Sequence, residues 1–264
     1  MSERVTLQVS EGSADVRLAR PDKLNALDGA MFEALVATGE RLAADRSLRA
    51  VVLSGEGRAF SAGLDFASFL GGGGGVRDLF ARTGASPANF AQRAAWVWTE
   101  LPVPVVAAVH GVAFGGGLQI ALAADLRIVA PDARLSVMEI KWGLVPDMSG
   151  TQTLRRLVRL DVAKELTFTG RIVSGVEAVE LGLATHLADS PRDAAFELAR
   201  EIAGREPRAV RAAKRLLDAS GVVGVEEGLR LEEELQRSLL GKPNQIEAAR
   251  ANAEKREPRF QDPE

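Results

Sequence analysis

The chain has 264 residues, 46% of them hydrophobic and 26% charged, a balance that suits an ordinary globular protein and excludes disordered and fibrous classes. Its length fits one large domain or two small ones. No cysteine is present, which removes disulfides, thiol nucleophiles and cysteine metal sites, and two histidines argue against a zinc site. Lys plus Arg number 33 against 36 for Asp plus Glu, so the net charge of −3 gives no basic footprint for nucleic acid, although a local basic cluster remains able to hold a few phosphates.

Met1-Ser2-Glu3-Arg4-Val5 lacks a basic segment followed by an apolar run, and Gln261-Asp262-Pro263-Glu264 matches no sorting address, so a cytoplasmic protein is expected. Residues 5–9 and 14–18 predict two paired strands around Glu11-Gly12-Ser13. Asp28 is placed to cap a helix to about Ala44, with Phe32, Leu35, Val36 and Leu42 at helical spacing. Continuous apolar runs at 50–53, 105–109 and 127–130 predict strands buried on both faces and joined by helical crossovers. Between them, Gly71 to Gly75 form a pentaglycine run that no Gly-Lys-Ser/Thr follows, which leaves a surface loop or a mobile wall over an apolar pocket.

Residues 101–124 carry no Asp, Glu, Lys or Arg and are long enough to span a bilayer. Pro102, Pro104, His110, Gln119 and four glycines would leave backbone groups unpaired in lipid, so a strand, a glycine turn and a buried helix over 116–124 are expected instead, with no membrane partner. The last third changes character. Ser174-Gly175-Val176-Glu177 is a capping-box pattern with Gly182 as its stop, Ser190-Pro191 opens a helix ending near Gly204, and further helices begin at Pro207, Val225 and Pro243. A mixed core over 1–190 and a helical region over 191–264 are predicted.

Three segments carry candidate chemistry. Gly57-Arg58-Ala59-Phe60-Ser61-Ala62-Gly63-Leu64-Asp65 follows a predicted strand, and His110-Gly111-Val112-Ala113-Phe114-Gly115-Gly116-Gly117-Leu118-Gln119 runs from a strand into a helix. Glycine at such a junction lets unpaired backbone N–H groups approach a ligand, and two of them aimed at one oxygen form an oxyanion hole. The same glycines also suit simple close packing of helix on strand. The third segment, Met138-Glu139-Ile140-Lys141-Trp142-Gly143-Leu144-Val145-Pro146-Asp147, sets two carboxylates among apolar residues, where burial raises a carboxyl pKa toward general-base range; the plain alternative is two solvated surface acids. His110 and His186 are expected to be structural, and Trp96, Trp98 and Trp142 to be core rather than ligand-stacking.

In their order and separations these segments, together with Arg20-Pro21-Asp22-Lys23-Leu24-Asn25-Ala26-Leu27 and Ala253-Glu254-Lys255-Arg256, resemble the crotonase superfamily of enoyl-CoA hydratases and isomerases over nearly the whole chain. The resemblance implies an α/β fold, a spiral of ββα turns with a helical C-terminal region that supports trimers, often stacked as hexamers. It implies a coenzyme A thioester substrate, no cofactor or metal, and oxyanion donors at the N–H groups of Leu64 and Gly116. Arg58 and Ala62 would lie near the adenosine end of coenzyme A, and Lys255 would reach the nucleotide bound by a neighbouring subunit; the aromatic residue usual three positions earlier is Asn252 here. Hydratases of the family carry glutamates at the positions of Gln119 and Glu139, and usually glycine where this chain has Asp147. An aspartate eight residues after the glutamate resembles the dienoyl-CoA isomerases, which nevertheless keep an acid at the Gln119 position. Gln119 can hold a water or the thioester but cannot exchange a proton.

The expected reaction is therefore a double-bond shift with Glu139 and Asp147 moving protons, ahead of hydration of a 2-enoyl-CoA. Two readings from other classes compete. Ala59-Phe60-Ser61-Ala62-Gly63 approaches a nucleophile elbow, with Asp147 and His186 following in hydrolase order. Alternatively, the loss of an acid at Gln119 suits a non-catalytic acyl-CoA binder, although an added buried Asp147 would be costly without a use. The acyl pocket is expected around Phe66, Phe69 and Leu70.

Overall fold

The computed structural model describes residues 3–70, 79–82 and 86–263, with the side chains of Phe69 and Leu70 also outside the description; the pentaglycine run at 71–75 lies outside it. In chain order the described elements are β1 (Val5–Ser10), β2 (Ser13–Leu18), α1 (Gly29–Ala43), β3 (Ala50–Gly55), α2 (Phe66–Leu70), α3 (Phe90–Glu100), β4 (Val105–Val109), β5 (Val112–Phe114), α4 (Gly116–Leu122), β6 (Leu126–Val129) and β7 (Arg134–Ser136). A 3-10 turn at Glu139–Trp142 leads to α5 (Gly150–Leu157), α6 (Leu160–Thr169), β8 (Val173–Ser174), α7 (Gly175–Leu181), β9 (His186–Leu187), α8 (Pro191–Ala203), α9 (Pro207–Ala219), α10 (Val225–Leu239) and α11 (Pro243–Glu254).

Local chemistry accounts for many of these boundaries. The Asp28 side chain accepts the Met31 N–H at 2.8 Å and starts α1. Ser174 does the same for the Glu177 N–H at 3.1 Å, and α7 stops at Gly182 in the left-handed region (φ 88°). Pro191, Pro207 and Pro243 each open a helix, where the missing N–H costs nothing.

The larger sheet has the order β1-β2-β3-β4-β6-β9, antiparallel only between β1 and β2 and parallel elsewhere. The smaller one, β5-β7-β8, lies in the stretch that positions the site. The apolar runs of β3 and β4 are continuous because both faces are covered. Val51, Leu53, Val105, Ala107 and Val109 enter the main core with α1, α3 and α4. Their neighbours Ala50, Val52, Val106 and Ala108 pack instead on Ala195 and Ala199 of α8. The first helix past residue 190 is thus a layer of the sheet domain, whereas α10 buries no residue. Lys214 ties α9 back to the body, donating to Asp125 at 2.7 Å and to the Val103 carbonyl at 3.1 Å.

The uncharged 101–124 stretch is β4, β5 and α4. No helix among the described residues is long and apolar enough to cross a membrane. Two expectations about burial are corrected. Trp98 is core, donating its indole N–H to the Ala94 carbonyl, but Trp142 is 58% exposed and stacks on Phe66 with ring centroids 4.3 Å apart. Ile140, Leu144 and Val145, read as a buried apolar setting, are also exposed. They sit in a 3-10 turn and loop that join no strand ladder among the described residues.

Candidate active site

Two crossing backbone segments build the centre. Ser61 bridges Ala113: the Ser61 N–H donates to the Val112 carbonyl and the Phe114 N–H to the Ser61 carbonyl, both at 3.0 Å. Asn25, fully buried, locks this crossing from below by donating to the Glu56 and Ala59 carbonyls at 2.9 and 2.8 Å. The Gly63 carbonyl accepts the Leu27 N–H at 2.8 Å. In a trans peptide the N–H points away from the carbonyl, so the Leu64 N–H is turned to the opposite side.

Gly115 takes φ 50°, ψ −123° before α4, and its carbonyl accepts the Gln119 N–H. The Gly116 N–H is therefore an orphan at the helix start. Neither it nor the Leu64 N–H has a hydrogen-bond partner among the described residues. A Cβ on Gly63 would stand 3.6 Å from the Gly116 nitrogen and 2.5 Å from the Phe114 carbonyl oxygen, so glycine is what lets the two donors lie side by side.

Both donor residues line a cavity of about 250 Å³. Its walls are mostly apolar, with Phe32, Phe66, Leu79, Phe80, Phe114 and Met148 among them. Its side-chain polar groups among the described residues are Gln119, Glu139, Asp147 and the indole N–H of Trp142. Glu139 is 9% exposed; its Oε1 accepts the Gln119 Nε2–H at 2.6 Å, while Oε2 is buried with no partner. Burial raises its pKa, the Gln119 bond opposes that, and the nearby Asp147 charge adds to it. Asp147 is exposed as a residue, not buried as its neighbours suggested, yet removal of its carboxyl from water raises its pKa too. Its backbone has no ladder, so it sits at the cavity edge.

The structure thus brings Leu64, Gly116, Gln119, Glu139, Asp147 and Ala62 to one cavity. Phe66 lines it as expected, while Phe69 and Leu70 fall outside the described side chains. Arg58 is exposed on the turn before Phe60 and lines no part of it. Lys255, the exposed cap of α11 at φ 52°, also stands apart from it within this chain. Gln119, expected to orient a water or the thioester, lines the cavity and also bonds to protein: Oε1 accepts the Met148 and Gly150 N–H groups at 2.8 and 2.9 Å. Asn25 and the 148–150 turn went unread as site-building parts, since their partners lie 29 to 34 residues away in sequence.

The hydrolase triad does not assemble. Ser61 is fully buried, donates to the Asn25 carbonyl at 2.8 Å and accepts the Gly63 N–H. His186 belongs to β9 at the sheet edge, away from the cavity lining.

In this mixed α/β fold two amides without a partner among the described residues and two carboxyls reach one apolar cavity, an arrangement able to hold a carbonyl oxygen beside acid–base groups. Residues 8–263 match the enoyl-CoA hydratase/isomerase family model, and the chain belongs to that family, within the crotonase superfamily. It is 34% identical over 261 residues to the Bos taurus enoyl-CoA hydratase domain-containing protein 2, mitochondrial, covering 95% of this chain and 85% of the bovine protein. Among crystal structures it resembles an enoyl-CoA hydratase from Bacillus anthracis, with a TM-score of 0.87, 30% identity and coverage of 97% and 98% of the two chains. A second, enoyl-CoA hydratase from Mycobacterium tuberculosis H37Rv, gives 0.86, 30%, 98% and 99%.

Proposed function

We propose that the protein shifts the double bonds of an enoyl- or dienoyl-CoA. The thioester carbonyl accepts the Leu64 and Gly116 N–H groups. One of Glu139 and Asp147 takes a carbon-bound proton, and the electron pair left behind delocalises onto the carbonyl oxygen as an enolate held by the two amides. The other carboxyl returns a proton further along the conjugated system, and exchange with solvent resets the pair. These groups supply the whole reaction without a metal or cofactor. The observation that carries this reading is the pairing of two carboxyls of raised pKa on one apolar cavity with a neutral amide between Glu139 and α4. Arg58, Ala62 and a neighbouring subunit's Lys255 are proposed to hold coenzyme A, with the chain assembled as a trimer or a dimer of trimers.

Hydration of a 2-enoyl-CoA is the second reading, favoured by the hydratase names of the relatives above. One experiment separates them. Purified protein is given a 3,5-dienoyl-CoA and a 2-enoyl-CoA and both are followed by absorbance; isomerisation of the first is expected, and rapid hydration of the second with no change in the first reverses the order. In the same assay Glu139→Gln is expected to abolish exchange of substrate protons with D₂O, and persistent exchange removes Glu139 as the base.

A further inference from the structure

Residues 20–28 form a cradle beneath the segment that carries the Leu64 N–H. Leu24 and Asn25 both take left-handed backbone, at φ 50° and 54°, which two successive residues with side chains adopt only when their surroundings impose it. Asn25 closes that turn: its N–H donates to the Arg20 carbonyl at 2.9 Å and its Oδ1 accepts the Arg20 N–H at 2.8 Å. The carbonyls of the cradle then face the site segment. Leu24 accepts the Ala62 N–H at 2.8 Å, Asn25 the Ser61 hydroxyl at 2.8 Å and Leu27 the Asp65 N–H at 3.0 Å. Arg20 adds a charged link. Its Nη1 donates to the Ala26 carbonyl at 3.1 Å and to Asp65 Oδ2 at 2.7 Å, and the two side chains are only 12% and 15% exposed. Asp28 Oδ2 stands 3.6 Å from the same nitrogen.

We propose that Arg20 is a positioning residue: its ion pair with Asp65 clamps the cradle to the Leu64 segment and sets the direction of the Leu64 N–H, without touching substrate. Neither Arg20 nor Asp65 is among the residues lining the cavity, so the pair acts through the backbone. The peptide that carries the Leu64 N–H begins at Gly63, at φ 84°, where no side chain resists rotation. Its direction is therefore held from the far end, at Asp65. The same guanidinium stands beside the starts of two helices that wall the cavity. Asp65 Oδ1 accepts the Ser68 N–H at 3.3 Å in α2, which carries Phe66, and Asp28 caps α1, which carries Phe32. Burial works to raise the Asp65 pKa, but the hydrogen bonds from Arg20 and Ser68 outweigh it and hold the carboxyl below its ordinary value, so the pair is ionised at neutral pH. A largely buried ion pair adds little net stability, because desolvation offsets the attraction; what this one supplies is a fixed geometry. The inference rests on the reading above that the Leu64 N–H serves as a donor to the thioester carbonyl.

The test uses Arg20→Met, Asp65→Asn, the double variant and Arg20→Lys, with Arg4→Met as a control that removes the guanidinium 2.8 Å from Asp28. Each is saturated with hexanoyl-CoA labelled with ¹³C at its carbonyl, a thioester with no double bond to move. In the parent the bound carbonyl resonance is expected downfield of its free position. In Arg20→Met and Asp65→Asn it is expected to give back about half of that displacement, one donor of two being misaimed. With a 3,5-dienoyl-CoA these variants are expected to lose about tenfold or more in kcat while KM stays within about threefold, a split that loss of stability alone does not produce. The double variant is expected to match the single ones, because the two residues act as a unit, and Arg20→Lys to recover part of both readouts. Asp65→Asn, which keeps the side chain's shape, carries the test where Arg20→Met does not fold. An unmoved bound carbonyl in the Arg20 and Asp65 variants, additive losses in the double variant, or an equal loss in Arg4→Met overturns the inference. So does a crystal structure of a substrate-free variant in which the Leu64 nitrogen keeps its place beside that of Gly116. A parent whose bound carbonyl is not displaced counts against the proposed carbonyl donors instead, and the crystal structure then still decides the clamp.

Discussion

Glu139 carries a cost that its chemistry explains. A buried carboxyl with one orphan oxygen has its charged form disfavoured, so its pKa in the folded protein lies above the ordinary value. Between those two values the native state holds a proton that the unfolded chain has released, and stability falls as pH rises through that window. Below the ordinary carboxyl value the penalty vanishes; above the raised one it is complete. Glu139→Gln is therefore expected to gain stability relative to the parent as pH rises from about 4 to 8, by about 0.5–2 kcal/mol at the upper end, the usual size for relieving a functional residue. Urea unfolding at several pH values checks it. A difference independent of pH removes the buried-charge explanation. Exchange activity follows the same group with the opposite benefit, being lost as acid protonates the base.

At the scale of elements, the glycines of α4 divide the two uses that the sequence left open. Gly116 contributes a free N–H, while Gly117 is a packing residue: a Cβ there would meet the Ser61 side chain at 2.6 Å and its backbone carbonyl at 2.7 Å. Gly117→Ala would gain about 1 kcal/mol of helix propensity, but the clash involves backbone and outweighs it. The expected outcome is a loss of about 1–3 kcal/mol in urea and, because a shift of roughly 1 Å at the donors is costly, a fall of about 100-fold in kcat/KM. Gly221→Ala, with open space at its Cβ, is the control and is expected to be near neutral.

The same division explains what was legible beforehand. β3, β4 and the C-terminal helices were readable because continuous apolar runs, prolines and caps act locally. The short β5 and β7 were not, since each has three residues and exists through its partner. α5 starts at a left-handed Ser149 with no side-chain cap, its first N–H held by Gln119 from 31 residues away. Gln119 and Glu139 were visible as positions, but their mutual bond was not. Trp142 was misread because an aromatic residue in an apolar segment looks like core until the segment proves to be a loop.

At the scale of the molecule, the chain exposes apolar side chains on and beside α10. No residue of α10 is fully buried, and Val225 and Leu229 on it are 81% and 59% exposed, with Leu217 and Val222 also open. The pairs Glu226–Arg230 and Glu233–Arg237 along α10 give it a charged side suited to water, so its apolar residues are the ones that call for cover. Exposed apolar surface of this kind marks association, and burial at about 25 cal/mol per Å² makes it favourable. Lys255 stands apart from the cavity of its own chain, and the assembly proposed above gives it a place beside a neighbour's coenzyme A. The protein is expected to sediment as a trimer, or a multiple of it, of the 28.1 kDa chain. Leu229→Glu paired with Val225→Glu is expected to shift it toward monomer with unchanged far-ultraviolet circular dichroism. In that variant KM for the CoA substrate should rise about tenfold as the neighbour's lysine is lost, a change of about 1.4 kcal/mol, while proton exchange at saturating substrate changes little. Monomeric parent protein at all concentrations, or a dissociated variant whose KM does not move, would separate assembly from coenzyme binding and leave Lys255 without a role in it.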